Sequence, residues 1–177
     1  MCIRDRYNLF DMPILAPNTI EFFSRSADQT RRVGMRLGAM LGPGDLVCLQ
    51  GDLGAGKTTF VQGLAQGWGS ADAVSSPTFV LVNVYRKPEG ALLFHLDTYR
   101  IDSMPEAEEL DLDTMLAQGP LVIEWAERVQ PLLPAENFWI KLEYLDEEQR
   151  LMQVTANGKR YESLLLELRQ GMFGFVG

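Results

Sequence analysis

The amino-acid sequence predicts an α/β three-layer sandwich whose mixed sheet contains antiparallel hairpins. Predicted strands and helices alternate along the 177 residues, a pattern typical of a sheet that is covered by helices on both faces. Short apolar runs such as LVCLQ at 46–50 and PLVIEW at 120–125 fit strands buried on both faces. A glycine-rich loop, GDLGAGKTTF at 51–60, joins one of these runs to a predicted helix, and this arrangement favours a P-loop NTPase-like version of the fold.

The other elements are predicted from hydrophobic period, capping and turn signals. TIEFFS at 19–24 indicates a short strand, and Ser26 with Gln29 forms a capping-box pattern ahead of a helix that runs to about Leu41. The remaining expectations are a helix at about 57–66 ended by Gly67 and Gly69, a hairpin of 78–86 and 91–97 around KPEG, an acidic helix at 103–117, a second hairpin flanking DEEQR, and a helix at 160–169.

We expect one folded domain, because about 100–200 residues is the usual length of a domain. Residues 18–170 are predicted to form a single P-loop ATPase domain. Residues 1–17 are expected to be a disordered or artefactual N-terminal segment, and 171–177 a short tail.

Composition and charge exclude several classes of protein. No apolar run approaches the roughly 20 residues of a membrane-spanning helix. Two cysteines make no disulfide framework, and no secretory signal is visible, so a cytoplasmic location is expected. The net charge of −8 argues against tight unaided binding to nucleic acid, which depends on Lys and Arg; if RNA is involved, a basic partner must hold it.

The glycine-rich loop matches the pattern G-x-x-x-x-G-K-[ST] in full. Its glycines allow backbone N–H groups to point at phosphate oxygens, and the helix that follows adds its positive end. Lys57 is expected to reach the β- and γ-phosphates, and the Thr58 hydroxyl to bind Mg²⁺. The predicted nucleotide-binding residues of the loop are Gly51, Asp52, Leu53, Gly54, Ala55, Gly56, Lys57, Thr58 and Thr59.

Two carboxylates end apolar runs and are candidates for the metal site that a phosphate loop needs. Asp97 ends LLFHLD and Glu124 ends PLVIE, so both are expected at the carboxyl edge of the sheet, where α/β proteins bind ligands. Either of them could orient the attacking water. His95 is interpreted as a packed strand residue, because no second histidine exists to share a metal.

Two further residues have alternative interpretations. Thr78, in the connector VSSPTF at 74–79, fits either a switch-like contact with the γ-phosphate or a plain turn. Trp125 fits either a stacking contact with the base or, as the residues alone favour, a place in the core.

Motifs of the commoner phosphate-loop proteins are missing. The sequence contains no N-K-x-D guanine motif and no L-S-G-G-Q segment, which argues against a GTPase and a transporter ATPase. A small-molecule kinase usually closes an arginine-rich lid over the phosphates, and the acidic stretch 102–113 has the wrong charge for one. These observations leave a minimal ATPase whose energy is used elsewhere.

The sequence resembles one family closely, the bacterial TsaE ATPases of tRNA threonylcarbamoyladenosine biosynthesis. The resemblance covers about residues 18–170 and rests on GDLGAGKTTF, VSSPTF, HLDTYR at 95–100, AEEL at 107–110 and IEWAE at 123–127. It implies that ATP lies on residues 51–59, that Thr58 and Glu124 hold Mg²⁺, and that Asp97 is needed for hydrolysis. It also implies that Trp125 lies near the nucleotide, that Thr78 belongs to a switch-like loop, and that residues around Ser26 to Thr30 approach the adenine.

The resemblance implies partners as well: a two-subunit threonylcarbamoyl transferase complex, made of a transferase and its inactive paralogue, with tRNA reached only through that complex. The acidic residues Glu106, Glu108, Glu109, Asp111 and Asp113 fit either a docking surface for it or a solvated helix face. The leading hypothesis is a weak, partner-stimulated ATPase whose catalytic residues are Lys57, Asp97 and Glu124. The alternatives are a small-molecule kinase and a nucleotide-gated binding module that does not hydrolyse ATP.

Overall fold

A computed structural model describes residues 15–75 and 81–173. This part of the chain folds into a mixed sheet of seven strands with helices on both faces, as the sequence predicts. The elements are β1 (Thr19–Ser24), α1 (Ala27–Gly38), β2 (Leu46–Gln50), α2 (Lys57–Trp68), β3 (Val82–Arg86), β4 (Leu92–Asp97), α3 (Met104–Glu108), α4 (Leu112–Gln118), β5 (Leu121–Glu124), β6 (Asn137–Tyr144), β7 (Arg150–Asn157) and α5 (Lys159–Phe173). Two 3₁₀ turns, Ala126–Arg128 and Gln130–Leu132, lie between β5 and β6.

The strand order β1-β7-β6-β2-β5-β4-β3 places the glycine-rich loop at the centre of the sheet. β2 is parallel to β5 and β6, and β5 is parallel to β4, whereas the β3–β4 and β6–β7 pairs are antiparallel hairpins. The carboxyl ends of β2, β4 and β5 therefore meet at one edge. In this register Asp97 pairs with Glu124 across β4 and β5.

Two hydrophobic cores lie on opposite faces of the sheet. The larger core packs α1, α2 and α5 against one face, and Phe60, Leu64 and Phe138 are completely buried there. The smaller core packs α3, α4 and the 3₁₀ turns against the other face around Leu96 and Ile123. Within residues 15–75 and 81–173, no helix combines the length and apolar content needed to cross a membrane.

Four glycines bring α1 and α2 into backbone contact. A Cβ on Gly34 or Gly38 of α1 would collide with the carbonyl oxygen of Phe60 or Leu64, and Gly63 and Gly67 of α2 face α1 in the same way.

The expectation that Gly67 ends the second helix is wrong, because Gly67 lies within α2. The helix continues to Trp68 and ends at Gly69, whose φ of 101° is left-handed.

The acidic stretch forms two short helices instead of the one predicted at 103–117. Ser103 caps α3, and the Asp111 side chain then accepts the N–H of Thr114 to start α4. A side chain that caps a new helix competes with continuation of the previous one, and this accounts for the break.

The two predicted hairpins are confirmed over the described residues, while the predicted residues 78–80 of the first strand lie outside them. α1 begins after the predicted cap Ser26, whose side chain accepts the N–H of Gln29, but it ends at Gly38, short of Leu41. α5 is longer than the predicted 160–169, and β5 ends one residue before Trp125.

Candidate functional site

The glycine-rich loop curls around the side chain of Lys57. Gly54 and Gly56 have φ values of 77° and 100°, which residues with a Cβ rarely adopt. Lys57 is buried, and its Nζ donates hydrogen bonds to the carbonyl oxygens of Gly51 and Asp52 within the same loop. Gly56 is also the N-cap of α2 and has no side chain to offer the first N–H groups of the helix. The loop thus brings an ammonium group and the N-terminus of a twelve-residue helix to one place.

Thr58 and Glu124 face each other at the edge of the sheet. The Thr58 hydroxyl donates to the Glu124 carboxylate at 3.2 Å from Oε1 and 3.4 Å from Oε2. Thr58 lies in the first turn of α2, and Glu124 is the last residue of β5, directly beside β2. A hydroxyl and a carboxylate are oxygen ligands of the kind that Mg²⁺ prefers, so the residues present fit that ion.

The Glu124 carboxylate is held from its other side by His95. His95 Nε2 lies 2.8 Å from Glu124 Oε1, and His95 Nδ1 lies 3.0 Å from the hydroxyl of Tyr85. All three side chains are buried, with exposed fractions of 0% for His95 and 3% for Glu124 and Tyr85. The acidic group at the sheet edge is therefore fixed inside the protein and is not a free surface residue.

Asp97 lies next to Glu124 in the register of β4 and β5 and is half-buried. Burial raises the pKa of Asp97, the N–H of Tyr99 that donates to its Oδ1 at 2.8 Å opposes this shift, and the negative charge of Glu124 adds to it.

Trp125 begins a small cluster of aromatic and cationic side chains over the loop. Its φ of 59° turns the chain out of β5, and its half-buried ring lies 4.1 Å below Lys57 Nζ. The Tyr99 ring is 4.9 Å from the Trp125 ring, and the Arg128 guanidinium lies 5.1 Å from the Tyr99 ring. Trp125 therefore contacts the glycine-rich loop instead of filling the core.

Charges around Lys57 partly offset the effect of burial on its pKa. Burial lowers the pKa of Lys57, whereas the carboxylates of Glu124, Glu127, Asp97 and Asp52 raise it. Burial also raises the pKa of Glu127, and its Oε2 is the acceptor for which no partner exists among the described residues. The site thus places one cation and several carboxylates near the N-terminus of α2. This arrangement can bind a phosphate chain together with a divalent cation.

Comparison with known proteins agrees with these features. A family model described as "Threonylcarbamoyl adenosine biosynthesis protein TsaE" matches residues 24–152. This chain belongs to the TsaE family. The tRNA threonylcarbamoyladenosine biosynthesis proteins TsaE of Bacillus subtilis and Treponema pallidum are 40% and 42% identical to it, over 80% and 74% of this chain and 88% and 96% of their own.

The fold is also similar to that of a protein of known structure. The crystal structure of Bacillus subtilis YdiB superposes with a TM-score of 0.71 and 32% identity, and it covers 86% of this chain and 95% of its own. The α/β P-loop fold predicted from the sequence is thereby confirmed.

The structure brings most of the predicted site residues of this TsaE chain together. Lys57, Thr58, Asp97, Glu124 and Trp125 converge on the loop 51–59. Thr78 lies outside the described residues, so its predicted switch role remains a prediction. Thr30 borders the loop, since its Cγ2 lies 3.9 Å from the position that a Cβ on Gly56 would take.

Sequence reasoning missed several side chains around this TsaE site. His95 was interpreted as packing, although its position two residues before Asp97 puts it on the same face of β4, which was an available signal. Tyr85 carries no signal of its own, whereas Tyr99 and Glu127 lie inside HLDTYR and IEWAE, and this position was an available signal. Arg150 was also missed: its Nε lies 3.9 Å from the same Cβ position at Gly56 and is buried without a partner among the described residues.

Proposed function

We propose that this TsaE-family chain binds ATP with Mg²⁺ and hydrolyses it slowly in support of tRNA threonylcarbamoyladenosine formation. The observation that carries the proposal is the Thr58–Glu124 pair, 3.2 Å apart, beside a lysine that the glycine-rich loop surrounds. Members of the family are named for threonylcarbamoyladenosine biosynthesis, which supports the pathway.

Each side chain has a distinct task in this proposal. Backbone N–H groups of 51–59 and the N-terminus of α2 bind the phosphates, and Lys57 neutralises charge that develops between the β- and γ-phosphates. Thr58 and Glu124 hold the metal, which supplies a Lewis acid for the phosphoryl oxygens when bound. Asp97 or Glu124 orients the attacking water, and Trp125 packs beside the nucleotide.

We propose that the partner is a two-subunit threonylcarbamoyl transferase complex, composed of a transferase and its inactive paralogue. The net charge of −8 is unsuited to holding tRNA directly, so tRNA is reached through that complex. The exposed acidic residues of α3 and α4 offer a negative surface for docking. Electrostatic docking of this kind weakens as salt concentration rises, and salt-insensitive binding would count against it.

The experiment that tests the proposal is phosphate release from ATP with and without the transferase complex and tRNA. Lys57→Ala and Glu124→Ala should each abolish turnover, whereas Lys87→Ala should leave it unchanged. Lys87 is a matched control, because its Nζ also lies over an indole ring, that of Trp68 at 4.6 Å.

Other outcomes of the same experiment decide against the proposal. Retained turnover in folded Lys57→Ala or Glu124→Ala protein contradicts the mechanism. The reaction is also run with ATP labelled in its terminal phosphate and a pool of metabolites. Transfer of the labelled phosphate to a small metabolite, instead of its release into water, indicates a kinase. Nucleotide binding without phosphate release under any condition indicates a nucleotide-gated binding module.

A further inference from the structure

His95 is the single histidine of the chain, and both of its ring nitrogens have buried partners. Nε2 lies 2.8 Å from Glu124 Oε1, and Nδ1 lies 3.0 Å from the Tyr85 hydroxyl. The three residues come from three adjacent strands, β3, β4 and β5. Two hydrogen-bonding contacts fix the orientation of a buried imidazole. The fixed imidazole in turn restrains the carboxylate to which it is hydrogen-bonded.

The positions of the protons follow from the partners. A carboxylate has only acceptor atoms, so His95 Nε2 carries the hydrogen and donates to Glu124. The Tyr85 hydroxyl has one hydrogen and two acceptors within reach, His95 Nδ1 at 3.0 Å and the Ser75 carbonyl at 3.3 Å. We assign the hydrogen to the shorter contact, with Nδ1 as the acceptor, because Asn83 Nδ2 also donates to the Ser75 carbonyl, at 3.2 Å.

We propose that His95 is a positioning residue that holds the Glu124 carboxylate toward Thr58, and that Tyr85 fixes the imidazole in the tautomer and orientation this requires. The inference rests on the proposed function, since it assigns a role in the metal site of that function. It rests on geometry and needs no change in the charge of His95.

Distances within the site separate this role from simple packing. The bond from His95 to Glu124 is shorter, at 2.8 Å, than the bonds from Thr58 at 3.2 and 3.4 Å. When the Thr58 hydroxyl turns to a metal ion, His95 remains the group that restrains the carboxylate. Hydrogen-bond partners behind metal ligands typically change metal affinity by about 10–100-fold when they are removed.

The test uses Tyr85→Phe, which removes only the hydroxyl that fixes the imidazole. The Mg²⁺ concentration for half-maximal ATP turnover should rise about 10-fold, while the affinity for metal-free ADP should stay within about twofold of the unmodified chain, as expected for a loss confined to the metal site. Calorimetric titration of Mg²⁺ into the ADP complex should show the same loss without turnover.

Tyr161→Phe is the matched control. Tyr161 is buried to the same extent, 4% exposed against 3% for Tyr85, and its hydroxyl accepts the Leu46 N–H at 2.8 Å far from this contact. Its loss should lower thermal stability and leave the Mg²⁺ dependence unchanged. A Mg²⁺ dependence that shifts equally in both variants would indicate a structural role only and overturn the inference.

Substitutions of His95 give an independent comparison. His95→Leu removes the donor and should raise the Mg²⁺ concentration for half-maximal turnover more than any other variant. His95→Gln keeps an N–H donor and should show a smaller rise. Folded His95→Leu protein with the Mg²⁺ dependence of the unmodified chain overturns the proposal. If His95→Leu does not fold, Tyr85→Phe and the spectra below still decide.

Nitrogen NMR of the imidazole tests the contact without any activity. Because the chain has one histidine, protein free of a polyhistidine tag gives one pair of ring signals. Nε2 should be protonated and Nδ1 not, Tyr85→Phe should shift Nδ1, and Mg²⁺ with ADP should shift Nε2. Ring signals unaffected by both changes would overturn the inference. Retained turnover in Glu124→Ala would instead overturn the proposed function, so the two failures are distinguishable.

Discussion

Thr58 on α2 and Glu124 on β5 are 66 residues apart in sequence, and their side chains are joined by a hydrogen bond of 3.2 Å. This contact exists because β2 leads into α2 and pairs in parallel with β5, so that both residues reach the same edge. The contact places a hydroxyl and a carboxylate where one divalent cation can touch both.

Under the proposed function, Thr58→Ala should lose Mg²⁺-dependent turnover by at least about 10-fold, since the substitution removes the proposed metal ligand. Thr58→Ser keeps the hydroxyl and should stay close to the unmodified chain. The measurement is the initial rate of phosphate release across a Mg²⁺ titration. Equal rates for Thr58→Ala and Thr58→Ser would show that the hydroxyl is not used.

Tryptophan emission should report nucleotide binding through Trp125. Lys57 Nζ lies 4.1 Å from the Trp125 ring, so phosphates that bind Lys57 under the proposed function change the charge next to this indole. Adding ADP with Mg²⁺ should change the emission, and Trp125→Phe should remove most of the change. Trp68→Phe is the control, because Trp68 is the last residue of α2, at the opposite end of that helix from Lys57, and its ring contacts Lys87. A change that disappears in Trp68→Phe and persists in Trp125→Phe contradicts this expectation.

Asp97 should make the stability of the nucleotide-free protein depend on pH. Burial raises the pKa of Asp97 above its ordinary value of 3.8. A carboxyl whose folded-state pKa is raised favours folding while it is protonated, and this contribution is lost as pH rises through the folded-state pKa. At neutral pH the charged Asp97 therefore opposes folding.

Asp97→Asn should accordingly be more stable than the unmodified chain at pH 7 and lose this advantage as pH falls below about 4, where the carboxyl is protonated in both states. Urea unfolding at several pH values measures it. Asp72→Asn is the control, because Asp72 is exposed and accepts one backbone N–H at 2.8 Å, as Asp97 does. A constant difference between Asp97→Asn and the unmodified chain from pH 4 to pH 7 would contradict the argument.

The contact between α1 and α2 should be sensitive to a single methyl group. A Cβ on Gly63 would collide with backbone atoms of Arg31. These atoms cannot move aside as the end of a flexible side chain could. Gly63→Ala should lower the free energy of unfolding by about 1–3 kcal/mol, as overpacking typically does.

Gly42→Ala is the matched control for this substitution, because nothing lies within 4 Å of its Cβ position and its φ is not left-handed. It should change the free energy of unfolding by less than about 0.5 kcal/mol. Urea denaturation of both variants measures the difference. Equal stabilities would mean that α1 and α2 can separate at little cost.

Sequence patterns predict the parts of this protein that depend on local chemistry. The phosphate loop follows from strict glycine, lysine and threonine positions, and the carboxylates at the sheet edge follow from apolar runs that end in Asp97 and Glu124. The His95–Tyr85 contact could not be predicted, because it depends on the exact register of the β3–β4 hairpin. The His95–Glu124 contact depends in addition on the pairing of β4 with β5, which lies further along the chain. The role of Gly67 was hidden for a similar reason, since the carbonyl oxygen that requires it belongs to Met35 of another helix.

Lys57 has three partners within this chain: two carbonyl oxygens of its own loop and the face of Trp125. Under the proposed function, the arrival of a nucleotide is therefore an exchange of partners for this ammonium group, and its departure restores the earlier set. The net gain is only the difference between the two sets of contacts, which favours rapid release of the product. Under the proposed function, such a site favours repeated turnover over retention of a tightly bound nucleotide.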